Sequence, residues 1–152
     1  MITSPETLAA RQAAEDVVVR MFVATDERDW PMLESCFTDP FVLDMTSMTG
    51  GTPTSMSPQQ VAAAWAEGFK PLTHVHHQVG NFQTALNGST AEVRCYGIAL
   101  HHRSEITAEA KSRRFVGAYI LELSATEGGW RINKLTFKLK FIDGNLALES
   151  AV

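Results

Sequence analysis

Two ionisable residues fall on apolar faces, where their side chains could do acid-base chemistry. Asp26 lies four residues after Phe22 on the apolar side of a helical pattern, where a carboxylate is costly unless it has a partner. His77 alternates in phase with Val75 and Val79, so it shares the apolar face of a predicted strand. An imidazole oriented by a carboxylate is a general base that can take a proton from carbon next to a carbonyl.

The neighbouring histidines raise a metal alternative. His74 and His76 lie on the strand face opposite His77, and two imidazoles at this spacing are a workable zinc or iron pair. A cupin-like motif would need a glutamate shortly after the second histidine, where Gly80 and Asn81 stand. The sequence also lacks a glycine-rich phosphate loop and a G-x-S-x-G elbow. We therefore expect neither a metal nor a cofactor.

Composition is that of an ordinary globular domain. The chain has 152 residues, of which 45% are hydrophobic and 20% charged, so one compact domain is predicted. Its net charge is −4 and no basic run exceeds Arg113-Arg114, which disfavours nucleic acid as a partner. The N-terminal segment lacks a signal-peptide pattern and no apolar run could span a membrane, so a cytoplasmic location is expected. We expect Cys36 and Cys95 to be buried thiols.

Apolar periodicity and capping residues predict three helices in the first half of the chain. A long amphipathic helix should cover residues 5–27, with Ser4 or Thr3 as its cap. Asp29 precedes a Trp-Pro pair and should cap a short second helix that ends near residue 37. A Ser-Pro-Gln-Gln capping box at residues 57–60 predicts a third helix over 58–69.

Alternating residues and turn signals predict strands elsewhere. A short strand is expected at 41–45, followed by an ordered loop or lid at 46–57 whose Met48 and Met56 could line an apolar space. Four long antiparallel strands are expected at 73–86, 90–104, 113–126 and 130–142. The alternation changes phase in the last strand, which predicts a bulge near Asn133 that curves the sheet.

Helices on one face of a strongly curved antiparallel sheet form a cone with an open mouth. Within this pattern, the segments ATDERDW at 24–30, FVLD at 41–44 and VHHQVGN at 75–81 resemble the SnoaL-like branch of the NTF2-like superfamily. The pattern is similar to scytalone dehydratase and the bile-acid dehydratases. The resemblance follows the element order over nearly the whole chain. It implies one α+β domain over 1–152, in which three N-terminal helices pack on a mainly antiparallel sheet around an apolar cavity.

The resemblance also implies catalytic residues. In those relatives an aspartate at the end of the first helix orients a histidine on the first long strand, and these positions correspond to Asp26 and His77. His76 is the alternative for the histidine. A second catalytic histidine is implied at His102, with His101 as the alternative if a bulge shifts the register.

The substrate implied by the resemblance is a small hydrophobic carbonyl compound of polyketide, aromatic or steroid type. The dehydratases use two tyrosines whose positions here hold Thr25 and Met45, so scytalone itself is not expected. Aromatic and apolar side chains would hold such a compound. Those expected to bind it are Phe22, Trp30, Met45, Trp65, Phe69, Tyr96, Phe115 and Tyr119.

Cofactor-free dehydration, isomerisation or cyclisation is the chemistry that an Asp–His pair in such a cavity would serve. The alternative is a non-catalytic member of the superfamily that binds a lipophilic ligand or a partner subunit. A homo-oligomer, a dimer or trimer, is also expected. The reason is that apolar residues occupy both phases of the strand around Val116, Ala118 and Ile120, and exposed apolar surfaces usually mark interfaces.

Overall fold

Helices fill most of the first half of the chain and long strands the second, as predicted. The structure is a computed structural model that describes residues 3–152. Its elements are α1 (Pro5–Glu27), α2 (Trp30–Ser35), β1 (Phe37–Asp44), α3 (Thr46–Thr49), β2 (Thr54–Met56), α4 (Pro58–Gly68), β3 (His74–Asn87), β4 (Thr90–His102), β5 (Ser112–Thr126), β6 (Gly129–Gly144) and a 3-10 turn (Leu148–Ser150).

Within residues 3–152, six strands form one open sheet in the order β2-β1-β6-β5-β4-β3. All neighbouring strands are antiparallel except β1 and β6, which are parallel. The fold is therefore the predicted α+β class, with helices packed on a curved and mainly antiparallel sheet. The strand β3 lies at one edge of this sheet, and α1 packs against it and against β6.

Capping fixes both ends of α1. Ser4 accepts a hydrogen bond from the backbone N–H of Thr7 at 3.2 Å, and Arg28 ends the helix in a left-handed conformation with φ 58°. Asp26 lies in the last turn, so the packing of α1 on β3 brings its carboxylate to the sheet. Among residues 3–152, neither α1 nor any shorter helix has the length and apolar character needed to cross a membrane.

The predicted caps of α2 and α4 are present as well. Asp29 caps α2, and the side chains of Ser57 and Gln60 form the reciprocal capping box of α4. The helix α2 ends at Ser35, before the predicted residue 37, because Phe37 already belongs to β1. The strand β1 thus begins before the predicted residue 41, because a proline such as Pro40 disfavours strand assignment from the sequence.

The segment 46–57 was expected to be an ordered loop or lid, but it contains the helix α3 and the strand β2. The strand β2 pairs with β1 through the registers Phe41↔Met56 and Leu43↔Thr54. Ser47 fastens α3 to β6, since its hydroxyl donates to the carbonyl of Phe137 at 2.6 Å. Both elements are too short for periodicity to reveal and depend on these tertiary contacts. The helices therefore number four within residues 3–152, where three were expected.

The predicted bulge at Asn133 is confirmed. Glu122 pairs with Lys134 and Leu123 with Ile132, which leaves Asn133 without a partner in β5. A second irregularity in β6 lies at residue 140, and β3 has one between residues 80 and 83. Extra residues of this kind bend a strand and increase its twist, so they account for the curvature of the sheet.

In the described part of the chain, the buried hydrophobic residues form two clusters. The main one lies between α1 and the concave face of the sheet and includes both cysteines, which are free and buried as predicted. Burial raises the pKa of the Cys95 thiol to about 12. A smaller cluster joins Leu72, Val75 and Ile106 to Leu148 of the C-terminal segment. That segment therefore packs on the end of β3 and closes one side of the molecule.

Candidate active site

A cavity of about 230 Å³ lies between α1, α4 and the concave face of the sheet. Its wall is mainly apolar, with two imidazoles and one phenol among the side chains. The lining residues are Met21, Phe22, Thr25, Met45, Met48, Trp65, Phe69, His77, Ala99, His101, Phe115, Tyr119, Leu135 and Phe137. The volume suits a small molecule near the low end of ligand-binding pockets.

Asp26 and His77 are in direct contact at this wall. The Nδ1 atom of His77 lies 2.6 Å from Oδ1 of Asp26, and the backbone N–H of His77 donates to Oδ2 at 2.8 Å. Only 13% of the Asp26 side chain and 11% of the His77 side chain are exposed. A carboxylate accepts hydrogen bonds, so in the neutral form of His77 the proton is on Nδ1 and the lone pair is on Nε2. The wall thus presents a potential proton acceptor.

Strand register decides which histidines face the cavity. In the β3–β4 pair His77 is opposite Ala99 and Val75 is opposite His101, so all four side chains share the concave face. His74 and His102 also pair with each other, but their side chains lie on the opposite face of the sheet, with ring centroids 6.3 Å apart. The prediction of His102 as the second cavity histidine is therefore wrong, and the alternative, His101, occupies the wall.

His102 has a different environment from the one expected. Its Nδ1 atom lies 2.6 Å from the hydroxyl of Ser112 on β5. Position along the chain does not distinguish His102 from His101, because the pairing of β3 with β4 decides which side chains face the cavity. A displacement of one residue moves a side chain to the other face of a sheet.

His101 lies among aromatic rings and a buried arginine. Its ring packs against Phe69 and Phe115, with centroid distances of 5.5 Å and 5.1 Å. Nη2 of Arg113 lies 3.0 Å from Nδ1 of His101. Burial, followed by the nearby positive charge of Arg113, lowers the pKa of His101 to about 4.

Arg113 is itself fixed by the C-terminal segment. Its guanidinium donates from Nη1 to Oε2 of Glu149 at 2.8 Å, and its Nη2 also contacts the other carboxylate oxygen. The guanidinium carbon lies 4.9 Å from the centroid of the Phe115 ring, and only 9% of the residue is exposed. In the sequence, Arg113 stands out only as part of the basic dipeptide Arg113-Arg114. Its alternation with Phe115 was the available signal that it faces inward.

Six of the eight residues expected to bind a substrate lie at the cavity wall: Phe22, Met45, Trp65, Phe69, Phe115 and Tyr119. The other two do not. Trp30 begins α2 and packs against the outside of the main core, because the helix starts beyond the turn at Arg28. Tyr96 is 54% exposed on the convex face, where Lys140 lies 4.0 Å above its ring, because it is in phase with exposed Ile98.

Tyr119 adds a hydroxyl to the otherwise apolar floor. Its ring contacts Phe22 edge-on and Phe137, both at centroid distances of 4.7 Å. Burial raises the pKa of Tyr119 well above its usual range, so the phenol stays neutral. Gly97 leaves room for the Tyr119 ring, because a Cβ atom on residue 97 would collide with that ring.

The two histidines of the metal alternative are exposed. The Nε2 atom of His76 lies 3.3 Å from the amide oxygen of Gln78, and His74 stacks on His102. In the part of the chain that the structure describes, no three His, Cys, Asp or Glu side chains are placed to hold a metal ion together. His76, the alternative to His77 in the catalytic role, thus faces away from the cavity.

A family model described as a SnoaL-like domain matches residues 6–136, which is most of the chain. The chain belongs to the SnoaL-like domain family. Solved structures share the fold of this SnoaL-like domain over nearly its whole length. The comparison with curated protein sequences found no match.

Three solved structures illustrate this similarity. A Kribbella flavida protein, Kfla4162, has a TM-score of 0.88 and 22% identity over 95% of this chain and 99% of that one. A provisionally assigned aromatic ring hydroxylase from Novosphingobium aromaticivorans has a TM-score of 0.78 and 24% identity, over 97% and 99%. A provisionally assigned scytalone dehydratase from the same species has a TM-score of 0.78 and 14% identity, over 91% and 89%. At these identities, the likeness of the SnoaL-like domain to them establishes the fold.

Proposed function

We propose that this SnoaL-like domain is a cofactor-free dehydratase, isomerase or cyclase for a small hydrophobic carbonyl compound. The observation that carries the proposal is the contact of Asp26 with Nδ1 of His77 at the wall of an apolar cavity. Fold alone does not decide function, and the structural relatives carry names as different as dehydratase and ring hydroxylase. The proposal therefore depends on the chemistry of the site.

The arrangement favours removal of a proton from carbon. Within residues 3–152 no protein group hydrogen-bonds Nε2 of His77, so its lone pair is available to a ligand in the cavity. When Nε2 takes a proton, the imidazolium that forms is stabilised by the Asp26 carboxylate. The electron pair of the broken C–H bond moves into the carbonyl, which gives an enolate.

The substrate decides the fate of this enolate. If a hydroxyl group is on the β-carbon, the electron pair on the enolate oxygen re-forms the carbonyl. A C=C bond then forms between the α- and β-carbons as the C–O bond of the hydroxyl breaks. The hydroxyl leaves as water with the proton carried by His77. Without such a group, return of the proton at another carbon gives an isomer, and attack of the enolate on an internal electrophile gives a ring.

The alternative is a non-catalytic domain that uses the same cavity to bind a lipophilic ligand. Binding of a lipophilic ligand requires neither a buried carboxylate nor its contact with the imidazole of His77, and burial of Asp26 costs desolvation energy. The doubly hydrogen-bonded Asp26–His77 pair therefore favours the enzyme.

The test is a panel of polyketide-like and steroid-like β-hydroxy-carbonyl compounds, monitored by the ultraviolet absorbance of a new conjugated enone. We expect turnover by the wild type, its loss in His77→Ala, and no change in His76→Ala, whose side chain is exposed on the opposite face. EDTA should leave the rate unchanged. Turnover that survives His77→Ala, or saturable binding of the panel without any turnover, would contradict the proposal.

A further inference from the structure

We propose that Arg113, held by Glu149, fixes His101 as a neutral imidazole with its proton on Nε2, so that this histidine is a permanent hydrogen-bond donor to a substrate oxygen. The inference rests on the proposed function, because it assigns a role to the second histidine of the same cavity. It makes Arg113 and Glu149 positioning residues and His101 a candidate catalytic residue. It also narrows the substrate to compounds with an acceptor oxygen.

The first step comes from the chemistry of the guanidinium group. All its nitrogens are donors and none accepts, so in the 3.0 Å contact between Nη2 of Arg113 and Nδ1 of His101 the arginine donates. Nδ1 must then offer its lone pair. A neutral imidazole has one proton, which is consequently on Nε2.

The second step is that Arg113 is held in place. The Glu149 carboxylate contacts both terminal nitrogens of the guanidinium, and the side chain of Arg113 is 10% exposed. The backbone around Glu149 is fixed in turn, because Nη1 of Arg103 donates to the carbonyls of Leu148, Glu149 and Ala151 at 2.9–3.0 Å. Glu149 therefore holds Arg113, and Arg103 holds the backbone that carries Glu149.

The third step concerns charge. A second proton on His101 would place a cation beside Arg113 within a cluster of aromatic rings, where burial already disfavours the charged form. Arg113 and His77 oppose protonation of His101, whereas Glu149 and Asp26 favour it to a smaller extent. The balance keeps His101 neutral near pH 7.

The two cavity histidines therefore have opposite roles. Asp26 accepts from His77, which leaves a lone pair on Nε2, whereas Arg113 donates to His101, which leaves a proton on Nε2. A carbonyl compound satisfies both histidines if its oxygen accepts a hydrogen bond from Nε2–H of His101 and its α-carbon lies next to Nε2 of His77. The hydrogen bond from His101 then strengthens as negative charge develops on the enolate oxygen, and this difference accelerates proton removal.

The tautomer can be measured in the ligand-free protein. In ¹⁵N-histidine-labelled wild type, long-range ¹H–¹⁵N spectra distinguish the two neutral tautomers and the imidazolium, and His101→Gln assigns the signals. We expect the Nε2–H form of His101 at pH 6, unchanged to pH 5. In Arg113→Met we expect the midpoint pH for protonation of His101 to rise towards that of an ordinary histidine. An Nδ1–H tautomer or a charged His101 at pH 6 in the wild type would overturn the assignment.

A probe ligand tests the donor role without turnover. The carbonyl carbon of ¹³C-carbonyl acetophenone should move downfield on binding to the wild type and to His77→Gln, but not to His101→Phe. A probe that does not bind, or whose shift persists in His101→Phe, would overturn the donor role. Neither measurement needs the panel reaction, so absence of turnover would count against the proposed function and leave the tautomer result standing.

Discussion

The carboxylate of Asp26 engages His77 twice, accepting one hydrogen bond from the ring and one from the backbone of the same residue. This double contact fixes the position of the histidine as well as its tautomer. The consequences for turnover can be separated from those for ligand binding.

Asp26→Asn should lower kcat by about 10²–10⁴-fold with little change in ligand affinity. If the asparagine oxygen accepts from the His77 backbone, its NH₂ group faces Nδ1 and forces the ring proton to Nε2, where the lone pair is needed. Steady-state kinetics and equilibrium binding on the same variant measure the two effects. A rise in KM at constant kcat would assign Asp26 to ground-state binding instead.

The double variant Asp26→Asn/His77→Ala should be little slower than the slower single variant. Two groups that act as one unit lose their function together, so their effects on the activation free energy are not additive. The measurement is a double-mutant cycle in kcat/KM. Full additivity would show that the aspartate acts independently of the histidine.

Gly97→Ala should destabilise the protein by about 1–3 kcal/mol, a typical cost of overpacking, and shrink the cavity. The added methyl group would collide with the ring of Tyr119, which lies on the cavity floor. Urea unfolding gives the change in free energy. Gly80→Ala is the matched control, because a Cβ atom there meets nothing within 4 Å. Equal effects of the two substitutions would contradict the packing argument.

The stabilising effect of Glu149 should depend on pH. Its hydrogen bond with Arg113 holds the pKa of the Glu149 carboxyl below its usual range. The contribution is therefore present above the ordinary glutamate value of about 4.3 and is lost as pH falls through the lowered pKa. Wild type should be more stable than Glu149→Gln at pH 7, and the difference should shrink towards pH 3. A difference that grows on acidification would exclude this ion pair as its source.

The convex face of the sheet should mediate self-association. It exposes Tyr96, Ile98 and Phe141, of which Ile98 pairs with Val116 in the register of β4 and β5. We expect a dimer or trimer by light scattering at micromolar concentration, and a monomer for Ile98→Glu. The control is Leu8→Glu, at an exposed position of α1. A monodisperse wild-type monomer would contradict the expectation.

Local signals explain what the sequence predicts well. Ser4, Asp29 and the Ser57–Gln60 capping box mark helix starts within a few residues of chain, and the phase change in β6 marks the bulge at Asn133. The need of Asp26 for a partner could be predicted for a related reason, because a carboxylate on an apolar face is costly when it is left alone.

The second histidine shows where such reasoning ends. His101 and His102 are adjacent, and only the register between β3 and β4 decides which one faces the cavity. The ion pair of Arg113 with Glu149 joins residues far apart in the chain. No periodicity in the C-terminal segment predicts this ion pair. Register and long-range ion pairs are properties of the assembled sheet.

The backbone half of the Asp26–His77 contact also protects the molecule. Among residues 3–152 the strand β3 is the last of the sheet, so in that part of the chain no strand neighbours the N–H groups on its outer side. Unpaired groups of this kind invite the edge of another molecule to add a strand, which leads to aggregation. By accepting the His77 N–H, Asp26 occupies one of these open positions, and α1 lies against the same strand. The residue proposed to orient the catalytic base therefore also helps to keep the sheet from growing.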